Sequence, residues 1–147
     1  GVVERGTVPL VAWRHLDDPD AILAAHRCNL ASMMLLHPGS ITSLALWIHA
    51  TNVVRDRMPG RRLAYTSALK DALPHIHCPV TAIYGHEDAL YRGQQHALAA
   101  AVAGSPDFRG LHWVADAGHW VQFERASPFD TLLAVVLRSG AAPVGAP

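Results

Sequence analysis

The sequence predicts an α/β fold, and three observations lead to this class. Apolar residues at helical spacing dominate the first half of the chain, short runs with β-branched residues follow in the second half, and a helical segment follows each run. Half of the 147 residues are apolar, which is enough for one domain with a buried core. A strand–helix–strand order implies that the two strands pair in parallel through a crossover helix.

The first half is predicted to contain two long helices and a shorter one, over residues 18–37, 40–58 and 61–73. Asp18 is a favoured N-cap residue, and Pro19 follows it at the first helical position. The inward faces of the two long helices are predicted to comprise Ile22, Leu23, His26, Leu30, Met33 and Met34, and then Ile41, Leu44, Ala45, Ile48 and Ala50.

The second half alternates strands with helices. Residues 78–85, CPVTAIYG, predict a strand buried on both faces, and residues 111–115 predict a second strand. Residues 90–104 between them predict a helix, and a last helix starts near Ser127 with Phe129, Leu132, Leu133, Val135 and Val136 on its inward face. Two parallel strands do not form a stable sheet alone, so we expect the end of a larger sheet, with an exposed and aggregation-prone edge.

Composition argues against several classes of partner. Twelve basic and twelve acidic side chains cancel, so no overall field favours a nucleic acid or an anionic membrane. The chain contains neither a signal-like segment nor a long apolar stretch, which predicts a cytoplasmic protein. Cys28 and Cys78 are predicted to be buried free thiols. The first residue is Gly1 rather than Met, from which we expect that sequence upstream has been lost.

Two residues suited to acid–base chemistry follow the predicted strands. Asp88 comes after the first strand and His119 after the second. In open α/β sheets, reactive groups collect at the carboxyl ends of the strands. A histidine acts as a general base when a buried carboxylate holds its other ring nitrogen, which fixes the tautomer. The sequence therefore predicts an Asp88–His119 pair.

Two segments together resemble the C-terminal part of an α/β-hydrolase, namely CPVTAIYGHEDALY and LHWVADAGHWVQFERASPFDTLLAVVL. In that family the catalytic triad follows the chain order Ser, then Asp or Glu, then His. The resemblance implies that Asp88 is the acid and His119 the base. It further implies a connecting segment at residues 1–15, a helical lid over residues 16–73 and the C-terminal part of the core over residues 74–147. GHWVQFE is most similar to hydrolases that cleave esters or the carbon–carbon bond of diketones.

One element of the family pattern is missing from this sequence. The nucleophile elbow G-x-S-x-G is absent, and the nearest serines, Ser40 and Ser105, lack its second glycine. We expect the serine and the oxyanion loop to lie before Gly1, so this chain alone is predicted to be inactive. The alternative is a non-catalytic truncated product that needs a separate N-terminal half or dimerises through its sheet edge.

Three further residues are candidates for contact with a small-molecule substrate. Trp120 either lines the pocket or packs on the lid. Arg55, in an arginine-rich helix end, either lies on a solvated surface or reaches a substrate carboxylate, and Asn52 is a candidate of the same kind. No cofactor and no metal is implied. In the segment HIHC, residues 75–78, the two histidines and the cysteine are expected to face opposite sides of an extended chain.

Overall fold

The computed structural model describes residues 2–3, 8–56 and 66–140, and the order of their elements confirms the predicted α/β class. The predicted helical residues 57–58 and 61–65 and the tail from residue 141 lie outside the described ranges. The elements are α1 (Pro19–Asn29), α2 (Ser43–Arg55), α3 (Ala68–Ala72), β1 (Val80–Gly85), α4 (Gln95–Val102), β2 (Phe108–Val114), α5 (Val121–Glu124) and α6 (Ala126–Gly140).

Side-chain caps start the first two helices. Asp18 accepts a hydrogen bond of 3.1 Å from the Asp20 amide, and Pro19 opens α1 as predicted. A π-helical turn, Leu30–Met34, extends α1. Thr42 caps α2 by accepting from the Ala45 amide at 3.2 Å. The two helices pack on each other and bury a cluster of Leu30, Leu35, Ile41, Ala45 and Leu46.

The predicted inward faces are wrong at three positions. Leu23 in α1, Leu44 in α2 and Val135 in α6 have exposed side chains, with Leu44 54% exposed. In α2 the buried stripe is Ala45, Leu46 and His49. The buried face of α2 therefore differs from the predicted face, because His49 takes an inward position that the apolar pattern did not assign to it.

The strands β1 and β2 pair in parallel, with Thr81 opposite Gly110 and Gly85 opposite Val114. Alternate side chains of the strands point to opposite faces. One face packs with α4, through a cluster that includes Leu98 and Val102, while Ile83 and Val114 pack with the start of α6 on the other. The sheet therefore has a helix on each face, as parallel sheets require.

Two further predictions, on the burial of β1 and of the cysteines, need correction. The strand β1 is only partly buried up to Tyr84, not buried on both faces, because β2 is its single strand neighbour within the described ranges. Cys28 and Cys78 are free thiols but both are exposed.

The remaining part of the predicted third helix contains α3, and a 3₁₀ turn, Leu73–His75, follows it. In the described part of the chain, no helix combines the length and apolarity needed to cross a membrane.

Candidate functional site

The candidate site lies where β1 and β2 end side by side. Beyond the strands, the His86 amide donates to the Val114 carbonyl at 2.9 Å, and the Glu87 amide donates to the Ala117 carbonyl at 3.0 Å. Gly85 permits this approach, because a Cβ at its position would lie 2.5 Å from the Ala117 carbonyl oxygen and closer still to that of Gly118. The two loops are therefore held together by backbone contacts.

Asp88 lies in the loop after β1, and both of its carboxylate oxygens are engaged. Its side chain is 1% exposed. Oδ1 accepts from the Leu90 amide at 2.9 Å, and Oδ2 lies 2.7 Å from Nδ1 of His119. The first contact fixes the turn after the strand, and the second reaches the neighbouring loop. A structural and a catalytic role are thus compatible at this position.

His119 lies in the loop after β2, directly after Gly118. Because a carboxylate only accepts hydrogen bonds, the contact with Asp88 requires the hydrogen of His119 to be on Nδ1. In the neutral ring Nε2 is then the proton acceptor. The ring is 32% exposed, so it is shielded from water on most of its surface and is still accessible.

Glu124, at the end of α5, is a second buried carboxylate beside this pair. Oε2 accepts from the amides of Gly118, at 2.7 Å, and Leu36, at 3.0 Å, and Oε1 accepts from the His37 amide at 2.7 Å. Burial by itself raises the pKa of Glu124, but these amides, with a contribution from Ser40, outweigh it and hold the pKa below its ordinary value. Glu124 therefore joins the His119 loop to the segment that follows α1.

A second cluster joins the same two segments at the surface. Nε2 of His37 lies 2.7 Å from Oδ1 of Asp116 and 2.8 Å from a guanidinium nitrogen of Arg125, which also binds Oδ2 of Asp116. Asp116, at φ 57°, is 59% exposed, and the Arg125 contact lowers its pKa despite partial desolvation, with His37 contributing in the same direction.

Glu124 and Gly118 were not singled out from the sequence. Glu124 follows Val121 by three positions, so both lie on the inward face of α5, and both are buried. The sequence signal for Glu124 was a charged residue on the same helical face as a buried apolar residue. Gly118 brings the backbones together, since a Cβ there would lie 2.9 Å from the Leu36 nitrogen and from the Met34 oxygen.

A cavity of about 270 Å³ lies beside the pair. Residues 31–36 after α1 line one side, and Glu87, Ala89, Arg92 and Gly118 line the other. The lining residues flank Asp88 on both sides and include the residue before His119. The cavity therefore adjoins the loops that carry the two predicted reactive groups, although neither Asp88 nor His119 lines it.

The other predicted site residues lie on different elements. Trp120 packs with Phe123 against the cluster that α1 and α2 bury, and its amide donates to the Met34 carbonyl at 2.9 Å. Asn52 and Arg55 have exposed side chains near the end of α2. The hydrogen-bond partners of Asp88 and His119 include neither residue, so their contact with a substrate stays a prediction.

The alternatives considered in the sequence also have clear positions. Ser40 ends a 3₁₀ turn, and Ser105 is buried with its hydroxyl donating to the Ile76 carbonyl at 3.4 Å. Glu87, the residue before Asp88, has its carboxylate 3.0 Å from the ring of His86. Within the described ranges, no three residues among the His, Cys, Asp and Glu side chains are grouped so as to hold a metal ion.

Comparison with solved structures identifies the fold. A protein described as an aryl esterase from Burkholderia cenocepacia matches 93% of this chain with a TM-score of 0.65 and 20% identity. A serine hydrolase from the polyaromatic-hydrocarbon-degrading bacterium Cycloclasticus zankles matches 92% with a TM-score of 0.52 and 19% identity. An N-acyl homoserine lactone degrading enzyme matches 77% with a TM-score of 0.50 and 23% identity.

The chain spans only about half of these structures, namely 50%, 52% and 46% of their lengths in the same order. No family model matches the sequence, and no curated protein does. The structural matches confirm the predicted resemblance at the level of the fold: the chain has the architecture of the C-terminal part of an α/β-hydrolase.

Proposed function

We propose that this chain supplies the acid and the base of a serine hydrolase that cleaves small esters. One observation carries the proposal: the buried Asp88 carboxylate lies 2.7 Å from Nδ1 of His119, and both residues follow the ends of neighbouring parallel strands. Solved structures of the same fold include proteins described as an esterase and as a serine hydrolase, which favours this class.

In the proposed reaction, a serine hydroxyl from outside this chain attacks the ester carbonyl. Nε2 of His119 takes the serine proton and then gives it to the departing alcohol. Water subsequently attacks the acyl-enzyme, again losing its proton to Nε2, and the serine leaves protonated. Asp88 keeps the hydrogen on Nδ1 and stabilises the imidazolium that forms in each step. Neither a cofactor nor a metal takes part.

The cavity beside the pair is the proposed substrate site. Its volume of about 270 Å³ suits a small acyl or diketone group. The residues after α1 that line it belong to the segment that we propose as the lid, over residues 16–73. A closed lid excludes water and so strengthens electrostatic interactions in the site. We propose Trp120 as the residue that seats the lid beside His119, since it packs against the α1–α2 cluster.

Ester turnover tests the proposal. The 147-residue chain contains no G-x-S-x-G, so it is expected to hydrolyse short nitrophenyl esters no faster than its His119→Ala variant. A form extended upstream to include such an elbow is expected to turn them over and to lose activity with His119→Ala. A His119-dependent rate in the chain alone would mean that the nucleophile lies within it. The same form, given a diketone, separates carbon–carbon from ester cleavage.

A non-catalytic alternative is favoured by one observation. Within the described ranges β1 has a partner strand on one side only, and its residues up to Tyr84 are partly exposed. Such an edge can pair with a separate N-terminal half or with a second copy of the chain. Size-exclusion chromatography with light scattering separates these states: a concentration-dependent dimer favours self-pairing, and a stable monomer argues against an unpaired edge.

A further inference from the structure

The proposed reaction does not use Glu124, although this carboxylate is 8% exposed and lies beside the Asp88–His119 pair. Burial of an ionised carboxylate is costly unless hydrogen bonds compensate it. The compensation here comes from backbone amides of two segments that are far apart in the sequence. We propose that Glu124 is a positioning residue that locks the His119 loop to residues 34–37. The proposal rests on the proposed function, since it takes His119 as the base.

The lock acts on both sides of His119. The residue before it, Gly118, shares Oε2 of Glu124 with the Leu36 amide. The residue after it, Trp120, donates its amide to the Met34 carbonyl at 2.9 Å. A shift of the His119 backbone therefore requires breaking a bond to residues 34–36 on at least one side.

A carboxylate fits this position better than its neutral isostere. Its two oxygens accept from three N–H groups at once, and hydrogen bonds to an ionised acceptor are shorter and stronger than neutral ones. In Glu124→Gln, the side-chain carbonyl oxygen can still accept hydrogen bonds from the Gly118 and Leu36 amides. The side-chain NH₂ group then faces the His37 amide, and two donors do not form a hydrogen bond. The close approach also requires Gly118, because a Cβ there would lie 3.1 Å from Oε2.

The experiment uses the full 147-residue chain, labelled with ¹⁵N, and needs no substrate or turnover. Two NMR readouts are recorded for wild type, Glu124→Gln and Asp116→Asn: amide exchange at residues 36, 37 and 118, and the ring signal of the His119 Nδ1 proton bound to Asp88. Asp116→Asn is the matched control, because its cluster joins the same two segments without contacting Gly118.

In Glu124→Gln, exchange of the His37 amide, which loses its acceptor, is expected to accelerate about tenfold or more, and exchange of the Leu36 and Gly118 amides by a smaller factor. The Nδ1 proton signal is expected to weaken in the folded molecules. Asp116→Asn is expected to leave both within about twofold. Reduced stability in Glu124→Gln with an unchanged Nδ1 signal would overturn the positioning role. If Glu124→Gln does not fold, the wild-type chain decides: the three amides should open with one common free energy, and clearly different values would contradict a single lock.

Different experimental outcomes would contradict the proposed hydrolase function and the proposed role of Glu124. Absence of turnover in an extended form, together with a weakened Nδ1 signal in Glu124→Gln, would remove the hydrolase function and leave the positioning of His119 intact. If the extended form is active, Glu124→Gln is expected to lower kcat because the base is misplaced, and also to raise KM because Leu36 and Gly118, which Glu124 holds, line the cavity. A change in KM alone would contradict the proposal.

Discussion

The loop after β1 and the helix α5 each contribute a buried carboxylate, yet the two carboxylates have different partners. Asp88 gives one oxygen to a backbone amide and the other to the ring of His119. Glu124, on the helix that follows the second loop, gives both oxygens to backbone amides. A partner that changes its protonation state suits catalysis, whereas fixed amide partners suit a scaffold. Burial alone therefore does not mark a reactive carboxylate.

The largest expected effect comes from altering the carboxylate that holds the histidine. In an extended form that carries the serine, Asp88→Asn is expected to lower kcat by about 10⁴-fold, because the amide favours the wrong tautomer of His119. Steady-state ester hydrolysis measures this effect. Asp107→Asn, which alters a partly exposed carboxylate just before β2, is the control and should leave kcat unchanged. A loss of less than tenfold with Asp88→Asn would move the acid role to another residue.

The next effect concerns the contact between the two loops. Gly85→Ala places a Cβ against the carbonyl oxygens of Ala117 and Gly118, so we expect a loss of about 3 kcal/mol in the free energy of unfolding. Gly39→Ala has no atom within 4 Å of its Cβ and is expected to change it by no more than about 0.5 kcal/mol. Urea denaturation of the full chain measures both. Equal effects at the two glycines would mean that the loops can separate without cost.

A smaller effect is expected at the scaffold carboxylate. Glu124→Gln should lower the free energy of unfolding by about 1–3 kcal/mol, because the partly buried His37 amide is left without an acceptor. Asp116→Asn should lower it by much less, since its cluster is exposed and screened by solvent. The same urea experiments measure both variants, and a larger loss at Asp116 would reverse the assigned importance of the two contacts.

The pH dependence of unfolding should reflect the low pKa of Glu124. Because the folded-state pKa lies below the unfolded value, this group stabilises the fold above about pH 4.3, and the contribution is lost as the pH falls through the folded value. Glu124→Gln lacks this contribution, so its stability should fall less steeply below pH 4.3 than that of wild type. Parallel curves would show that Glu124 is not held by its amides in solution.

The α1–α2 pair should respond to pH in a higher range. Burial lowers the pKa of His26, whose ring packs against those of Trp13 and His49. A lowered histidine pKa means that the neutral ring is favoured in the folded state, so stability is lost as the pH falls below about 6.5. His26→Leu should flatten the stability curve between about pH 7 and pH 5. An unchanged slope would assign this titration to another group.

The strand-end pair could be predicted because its signal is local. A short apolar run followed by Gly and Asp, and a second followed by Gly and His, define the ends of two parallel strands, and parallel strands bring those ends together. The final helix and the caps at Asp18 and Pro19 were predictable for the same reason, since a few adjacent residues determine them.

The packing between distant segments could not be predicted in the same way. The partners of Glu124 are amides of residues 36 and 37, which no sequence pattern connects to it. The inward face of α2 depends on His49 facing His26 of α1, so a pattern of apolar residues alone placed Leu44 inside. The partly exposed β1 likewise depends on which strands pair with it, and this information lies outside the strand itself.

The most direct test of the central claim is labelling with a serine-reactive fluorophosphonate. The probe is applied to a form extended upstream to a G-x-S-x-G elbow, to its His119→Ala variant and to the 147-residue chain. We predict labelling of the extended form at the elbow serine, a strong decrease with His119→Ala, and none in the 147-residue chain. Equal labelling with and without His119 would contradict the assignment of this chain as the source of the catalytic base.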